Sequence, residues 1–243
     1  MIGEHVYGRQ AVRELLRGPR EVLELWASER ALKAEPWLRD EGSVRIQVRP
    51  ERALTASVGS PDHQGVVALS APYRYAEAYE LAARPEPLIV CLDGVTDPQN
   101  LGAVCRSAEG AGATGLVLPA HGAARVTAAV CRASAGAVEH LALAVVTNLA
   151  RYLTEVKGDD LWAWAAAGDA ETPMWGADLT GGVLLVLGAE GKGLRPLVRK
   201  SCDAEVAIPL SGRVESLNVS VAAGVLLFEV RRQRAAVPAE HHA

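Results

Sequence analysis

Polar residues that could do chemistry follow an apolar run at residues 93–112, "DGVTDPQNLGAVCRSAEGAG". The run "LIVCLDG" before them has the length of a buried strand, and a helix is predicted to begin near Asn100. Open α/β sheets bind ligands beyond the carboxyl ends of their strands. Asn100 and Arg106 are therefore candidate site residues, although a capped helix carrying one solvated arginine would give the same pattern.

A second candidate is the loop in "VLGAEGKGL", residues 186–194, where three glycines surround Glu190. Glycines let backbone groups approach a ligand closely, because no side chain intervenes. The loop is not a phosphate-binding P-loop, since its lysine precedes the last glycine and no Ser or Thr follows. A plain tight turn is the structural alternative.

The third candidate is the run "IPLSGRVESLNVSVAAGVLLFEVRRQR", residues 208–234. It reads as an apolar strand end, a polar loop and a helix with small and aliphatic residues. Ser216 is predicted to cap this helix. Asn218 is predicted to be buried on the first turn, where its amide would need partners.

A GxGxxG pattern at Gly110, Gly112 and Gly115 is typical of dinucleotide sites only when it lies between a strand and a helix start. Here it follows a helix and precedes a strand. We interpret Gly110 and Gly112 as residues that end the helix.

Composition indicates a soluble globular protein: the 243 residues are 49% hydrophobic and 22% charged. The net charge of -4 excludes a global basic field, so any RNA contact must be a local patch. The four cysteines have no zinc-site spacing, and we expect reduced, buried thiols and no metal. No leader or apolar run of membrane-spanning length is evident, so we expect a cytoplasmic protein with no membrane partner.

Strands alternate with helices along the chain, which predicts an α/β fold. We expect a small amino-terminal α/β domain at residues 1–72, a proline-rich linker at 73–87, a second α/β domain at 88–234 and a flexible tail at 235–243. The strands of the second domain are continuous apolar runs, as in a parallel sheet covered on both faces.

Taken in order, "NLGAVCR", "LGAEGKGL" and "IPLSGRVESLNVSVAAGVLLFE" resemble the three motifs of the SpoU, or TrmH-type, RNA ribose methyltransferases. The resemblance covers residues 88 to about 234. With "GRQAV" and "HQGVVA" near the amino end, the chain looks most like the members that methylate a guanosine ribose in the peptidyl-transferase region of 23S rRNA. The amino-terminal unit resembles the ribosomal-protein-like RNA-binding domain of those members.

The resemblance implies a parallel-sheet domain with a deep trefoil knot, which binds S-adenosyl-L-methionine. Matched motif by motif, Gly188, Ile208 and Leu217 should line the donor site, with Leu210 nearby. An apolar slot with a few backbone hydrogen bonds suits adenine.

Five residues match the family positions associated with catalysis and RNA placement: Arg106, Asn100, Glu190, Ser216 and Asn218. The family role assigned to Arg106 is that of a base, but a guanidinium is a poor one. Gripping a phosphate and stabilising the developing alkoxide is physically easier. Ser216 and Asn218 would position the ribose, and Glu190 would orient neighbouring groups.

The implied partners are RNA, as 23S rRNA or a ribosome assembly intermediate, and a second copy of the chain packed through the final helix. Arg9 and Arg13 recur at helical spacing and are candidate RNA contacts. Arg231 and Arg232 are further candidates, with surface solubility as the alternative.

Other functions remain open at this point. A tRNA ribose methyltransferase and an antibiotic-resistance 23S rRNA methylase share the motifs. A catalytically dead RNA-binding assembly factor is disfavoured by the intact motif residues, and a nicotinamide-dependent oxidoreductase by the misplaced glycines.

Overall fold

The computed structural model describes residues 3–40 and 44–236. Contacts divide the chain into two units. The first runs up to Arg74 and includes Arg125–His140; the second holds Tyr75–Ala124 and the residues from Leu141 onward. Of the tail expected at 235–243, two residues end the last helix and residues 237–243 lie outside the described residues.

The first unit is built on a four-stranded sheet in the order β1-β4-β2-β3. Its elements are β1 (Glu4–Tyr7), α1 (Arg9–Arg17), β2 (Val22–Ala27), α2 (Glu29–Ala34), α3 (Trp37–Asp40), β3 (Ile46–Val48), α4 (Glu51–Val58), a 3₁₀ turn (Pro61–His63) and β4 (Val66–Ser70). α1 packs on the sheet through the buried residues Ala11, Val12 and Leu15.

The second unit carries a six-stranded sheet in the order β10-β8-β9-β5-β6-β7. Its elements are α5 (Ala78–Ala82), β5 (Leu88–Asp93), α6 (Pro98–Gly110), β6 (Gly115–Pro119), β7 (Leu143–Val146), α8 (Leu149–Val156), β8 (Leu161–Ala166), a 3₁₀ turn (Met174–Gly176), β9 (Gly182–Gly188), α9 (Pro196–Lys200), β10 (Ala204–Val206) and α10 (Val219–Ala236). Between β6 and β7 the chain forms α7 (Ala128–Ala133) and a 3₁₀ turn (Ala137–Glu139), which belong to the first unit.

Every neighbouring pair in this sheet is parallel, which confirms the predicted parallel α/β architecture. All residues of β5 and β6 are buried, as expected for strands covered on both faces. The trefoil knot stays a prediction.

A buried ion pair ties the segment Arg125–His140 into the first unit. Arg20 donates to the carboxylate of Glu139, and both side chains are almost fully buried. Breaking such a pair leaves an uncompensated charge, so it holds the partners in one arrangement. The sequence alone did not indicate that this segment packs with the amino-terminal strands.

Of the two glycines predicted to end α6, Gly110 is the last residue of the helix and Gly112 follows it in the left-handed conformation. Gly112 has φ +72°, and Ala113 donates its backbone N–H to the carbonyl of Ala108 over 2.8 Å. A left-handed glycine with this hydrogen bond closes a helix without strain.

The prediction that Ser216 caps the last helix is wrong. α10 begins at Val219, and Asn218 Oδ1 accepts from the backbone N–H of Ser220 over 2.9 Å and from its Oγ over 2.6 Å. Asn218 is therefore the capping residue. It is half-buried, not buried as expected.

All four cysteines are free thiols, and burial raises the pKa of Cys131 and Cys202 to about 12. Three are buried as expected, and Cys202 is half-buried. Within residues 3–40 and 44–236, none of the helices combines the length and apolar character needed to cross a bilayer. The same residues contain no cluster of three or more potential metal ligands.

Candidate active site

The candidate site lies at the carboxyl ends of the two central strands of the six-stranded sheet. β5 and β9 are hydrogen-bonded neighbours, and their last residues, Asp93 and Gly188, are paired in register. β5 continues toward α6, and β9 continues into the glycine-rich loop at residues 189–194. Two of the three sequence motifs therefore begin side by side.

A hollow of about 240 Å³ opens at this edge. Four chain segments line it, at residues 166–168, 187–193, 206–210 and 215–222. The lining residues are Ala166, Ala167, Gly168, Leu187, Gly188, Ala189, Glu190, Gly191, Gly193, Val206, Ile208, Leu210, Glu215, Ser216, Leu217, Val219 and Ala222. The structure thus brings together all four residues expected around the donor, in one largely apolar hollow.

The backbone at Gly188 leaves no space for a side chain. A Cβ atom there would lie 2.1 Å from the carbonyl carbon of Gly193 and 2.4 Å from the backbone nitrogen of Leu194. The loop after β9 folds back onto the strand end at this point, with Gly193 donating its N–H to the carbonyl of Ala189 over 2.9 Å. Glycine is required here for packing and not only for flexibility.

Asn218 joins the three motifs through its side-chain amide. Its Nδ2 donates to Asn100 Oδ1 over 3.0 Å and lies 3.4 Å from Glu190 Oε2. Its Oδ1 is occupied by the cap of α10, so the orientation of the amide is defined. Three residues that sequence comparison placed in one site, 118 and 28 positions apart, therefore meet.

Ser216 and Arg106 are not part of the polar contact between Asn218, Asn100 and Glu190. Ser216 is exposed and lines the hollow. Arg106 is exposed on α6, about 9 Å along the helix axis from Asn100 at 1.5 Å per residue, and is not part of the hollow's lining. An exposed guanidinium on α6 is accessible to a substrate that approaches from solvent.

The sequence did not reveal the role of a buried carboxylate at the end of β5. Asp93 is 1% exposed and accepts from the backbone N–H of Arg195 over 2.9 Å and from Arg195 Nε over 2.7 Å. Arg195 Nη2 lies 2.6 Å from the same carboxylate. Because Arg195 directly follows the glycine-rich loop, this Asp93–Arg195 clamp fixes the end of the loop against β5.

The segment at residues 166–168 was also missed. It follows β8 and lines the hollow with two alanines and a glycine. These residue types carry no chemistry, so only their position after a strand could have indicated a role.

The arginines predicted to contact RNA differ in their surroundings. Arg9 pairs with Glu35 over 2.8 Å, and the guanidinium of Arg13 lies 5.7 Å from the ring centroid of Trp37. Arg232 is exposed and donates to Glu229, which lowers the pKa of that carboxyl to about 2. Arg231 is exposed near the end of α10.

Comparison with protein-family models identifies both parts of the chain. Residues 87–228 match the model of the SpoU rRNA Methylase family. Residues 5–76 match the model described as RNA 2'-O ribose methyltransferase substrate binding.

Named relatives match over nearly the full length. The chain is 44% identical over 243 residues to a 23S rRNA (guanosine-2'-O-)-methyltransferase RlmB of Pseudomonas syringae pv. tomato, covering 96% of this chain and 97% of that protein. It is 39% identical over 240 residues to the putative TrmH family tRNA/rRNA methyltransferase YacO of Bacillus subtilis, covering 95% and 96%.

A solved structure of a SpoU methyltransferase is similar to this chain over most of its length. The SpoU methyltransferase AviRb of Streptomyces viridochromogenes, in complex with the cofactor AdoMet, aligns with a TM-score of 0.81 at 25% identity, covering 97% of this chain and 91% of that one.

Replacing Asp93 with asparagine should release the loop after β9. The neutral amide cannot form the charged, multiply bonded contact with Arg195, so we expect faster hydrogen exchange at residues 189–194 and at least tenfold weaker binding of S-adenosylmethionine by calorimetry. Asp97→Asn is the matched control, because asparagine caps a helix as well as aspartate does. Equal donor affinity in Asp93→Asn and the unsubstituted protein would show that the clamp does not shape the hollow.

Proposed function

The chain belongs to the SpoU rRNA methylase family, and on this premise we propose that it transfers a methyl group from S-adenosylmethionine to the ribose 2'-hydroxyl of a guanosine in 23S rRNA. The family resemblance noted in the sequence is confirmed. The single observation that carries the proposal is the Asn100–Asn218–Glu190 contact, in which Glu190 also lines the glycine-containing hollow. The 44% identity over nearly the whole chain supports the choice of RNA and nucleoside.

The lining of the hollow suits the donor. Ile208, Leu210 and Leu217 supply apolar walls, and Gly188, Gly191 and Gly193 bring the backbone to the lining without side chains. Adenine needs this combination of flat apolar contact and a few backbone hydrogen bonds. When bound, S-adenosylmethionine supplies an electrophilic methyl group.

The polar residues act on the RNA. Asn218 is held by the helix cap and by Asn100, and a ribose oxygen would replace its longer contact, of 3.4 Å, with Glu190 when Asn218 positions the ribose. Glu190 orients that amide. In-line transfer needs the hydroxyl oxygen aligned with the methyl group, and fixing the ribose in this way supplies the alignment.

Arg106 would grip the adjoining phosphate and stabilise negative charge on the attacking oxygen. A guanidinium is a poor base, so a base role is unfavourable. Charge stabilisation of this kind is a large term in catalysis by enzymes. The exposed position of Arg106 on α6 leaves it accessible to RNA.

We further propose a homodimer through α10, as the family resemblance implies. Val221 and Phe228 are 50% and 52% exposed and lie seven residues apart, on one face of the helix. A second copy of the chain would cover the apolar face. A cytoplasmic location accords with an rRNA substrate.

The proposal is tested by incubating the protein with labelled donor and either 23S rRNA or bulk tRNA, followed by alkaline hydrolysis. A 2'-O-methyl group removes the nucleophile for strand cleavage, so we expect an alkali-resistant, labelled dinucleotide from 23S rRNA. Label in tRNA alone would favour the activity suggested by the name of the Bacillus relative. No label in either RNA would contradict the enzyme assignment.

Arg106→Ala should keep donor binding and lose turnover by about 100-fold or more, the usual effect of removing a group that stabilises transition-state charge. Donor affinity by calorimetry and kcat on 23S rRNA measure the two effects. Arg151→Ala, an exposed arginine on α8, is the control and should leave both unchanged. Turnover at the unsubstituted level in Arg106→Ala would overturn the role assigned to this residue.

Phe228→Asp should convert the dimer to a monomer, because a carboxylate would be buried without a partner in the proposed interface. Sedimentation velocity measures the change. Tyr79→Asp, which alters an aromatic residue 51% exposed on α5, is the control. A monomeric unsubstituted protein would rule out the homodimer.

A further inference from the structure

The strands of the first unit bring several basic residues to one edge of its sheet. β1 and β2 both run antiparallel to β4, and β3 runs parallel to β2, so the carboxyl ends of β1, β2 and β3 share this edge. We call it the carboxyl edge. It comprises Gly8 and Arg9, residues 28–34, residues 48–51, and Gln64 with Gly65.

Backbone hydrogen bonds hold these segments together. Ser28 donates its N–H to the carbonyl of Gly65 over 2.8 Å, and Arg49 donates to the carbonyl of Ala27 over 3.0 Å. The carboxyl edge is therefore a connected surface and not a set of independent loops.

An open hollow of about 880 Å³ on the carboxyl edge lies between α2 and the start of α4. Its lining residues are Ser28, Glu29, Arg30, Lys33, Ala34, Val48, Arg49, Pro50 and Glu51. Three cations face two carboxylates, in a chain whose net charge is -4. The hollow is therefore more basic than the protein as a whole. Val48, which is 56% exposed, adds an apolar side chain to its lining.

Arg49 lines this hollow and is held over the ring of Trp26. Its guanidinium carbon lies 3.8 Å from the ring centroid of Trp26, and Nη2 donates to Gln47 Oε1 over 2.8 Å. The Trp26 ring is itself buried and packs at 5.5 Å from the ring of His5. A guanidinium plane fixed in this way offers its other face to a planar ligand, and unpaired RNA bases stack on arginine planes.

A strained backbone position lies at the same edge. Gln64 is a non-glycine residue with φ +52°, and at Gly65 a Cβ atom would lie 2.5 Å from Ser28 Oγ. Gln64 accepts from Arg9 twice, through Oε1 from the backbone N–H over 3.0 Å and through its carbonyl from Nε over 3.2 Å. Strain of this kind is concentrated at functional sites, and here it fixes the position of Arg9.

We propose that the carboxyl edge binds an unpaired segment of the RNA substrate, with a base stacked on Arg49 and the adjoining phosphates on Arg30 and Lys33. The proposal rests on the proposed function for the identity of the RNA. The sequence predicted RNA contacts along α1, where Arg13 lies beside Trp37. The present proposal places them instead at the sheet edge where α1 begins. Arg9 contributes from its fixed position at the rim.

Two variants test the proposal: Arg49→Ala, and Arg30→Ala combined with Lys33→Ala. We expect each to raise KM for a 23S rRNA fragment containing the peptidyl-transferase region by about tenfold, and to leave kcat and donor affinity within twofold. In the double variant, the slope of the logarithm of RNA affinity against the logarithm of salt concentration should also decrease by the amount expected for the loss of about two phosphate contacts. Arg49→Lys keeps the positive charge but removes the planar guanidinium group, so we expect it to behave like Arg49→Ala.

Arg45→Ala is the matched control, because Arg45 is an exposed arginine just before the amino end of β3, the same strand that Arg49 follows. Unchanged KM in both test variants, or an equal rise in KM in Arg45→Ala, would overturn the proposal. Full recovery in Arg49→Lys would overturn the stacking role. If the unsubstituted protein methylates no RNA, the proposed function fails, while RNA affinity still tests the carboxyl edge separately.

Discussion

The buried carboxylate of Asp93, held by Arg195, is the contact on which the geometry of the second unit depends. A carboxylate taken out of water is costly unless charged donors surround it, so Arg195 must stay where it is. That requirement closes the glycine-rich loop onto the end of β5. The same closure brings Gly188 against Gly193 and leaves Glu190 facing Asn218. Apolar residues could fill this space, but they would not set the loop to one position.

The site divides its work between backbone and side chains. Glycines and aliphatic residues form the hollow, and the amides of Asn100 and Asn218 meet beside Glu190, which lines it. Arg106 lies outside the hollow on an exposed helix face. The division suits a reaction in which a buried donor meets a large RNA that can only approach from solvent. The first unit contributes its own basic edge, because a chain of net charge -4 needs local patches to hold RNA.

The apolar runs were sufficient to predict the parallel sheet, because strands buried on both faces must be apolar throughout. The motifs identified Asn100, Glu190 and Asn218, but only the fold shows that they touch. Arg195 was missed because its partner is 102 positions away, and no local pattern marks a residue that acts at such separation. Ser216 was taken for the helix cap because both it and Asn218 have capping side chains, and spacing alone does not choose between them.

The central claim is that this site methylates the ribose of a guanosine in 23S rRNA. Mass spectrometry of nucleosides and nuclease fragments, after 23S rRNA lacking the modification has been treated with the protein and donor, locates the new methyl group directly. We expect 2'-O-methylguanosine at a single position within the peptidyl-transferase region. A methyl group on a base, on the ribose of another nucleoside, or at scattered positions would contradict the account.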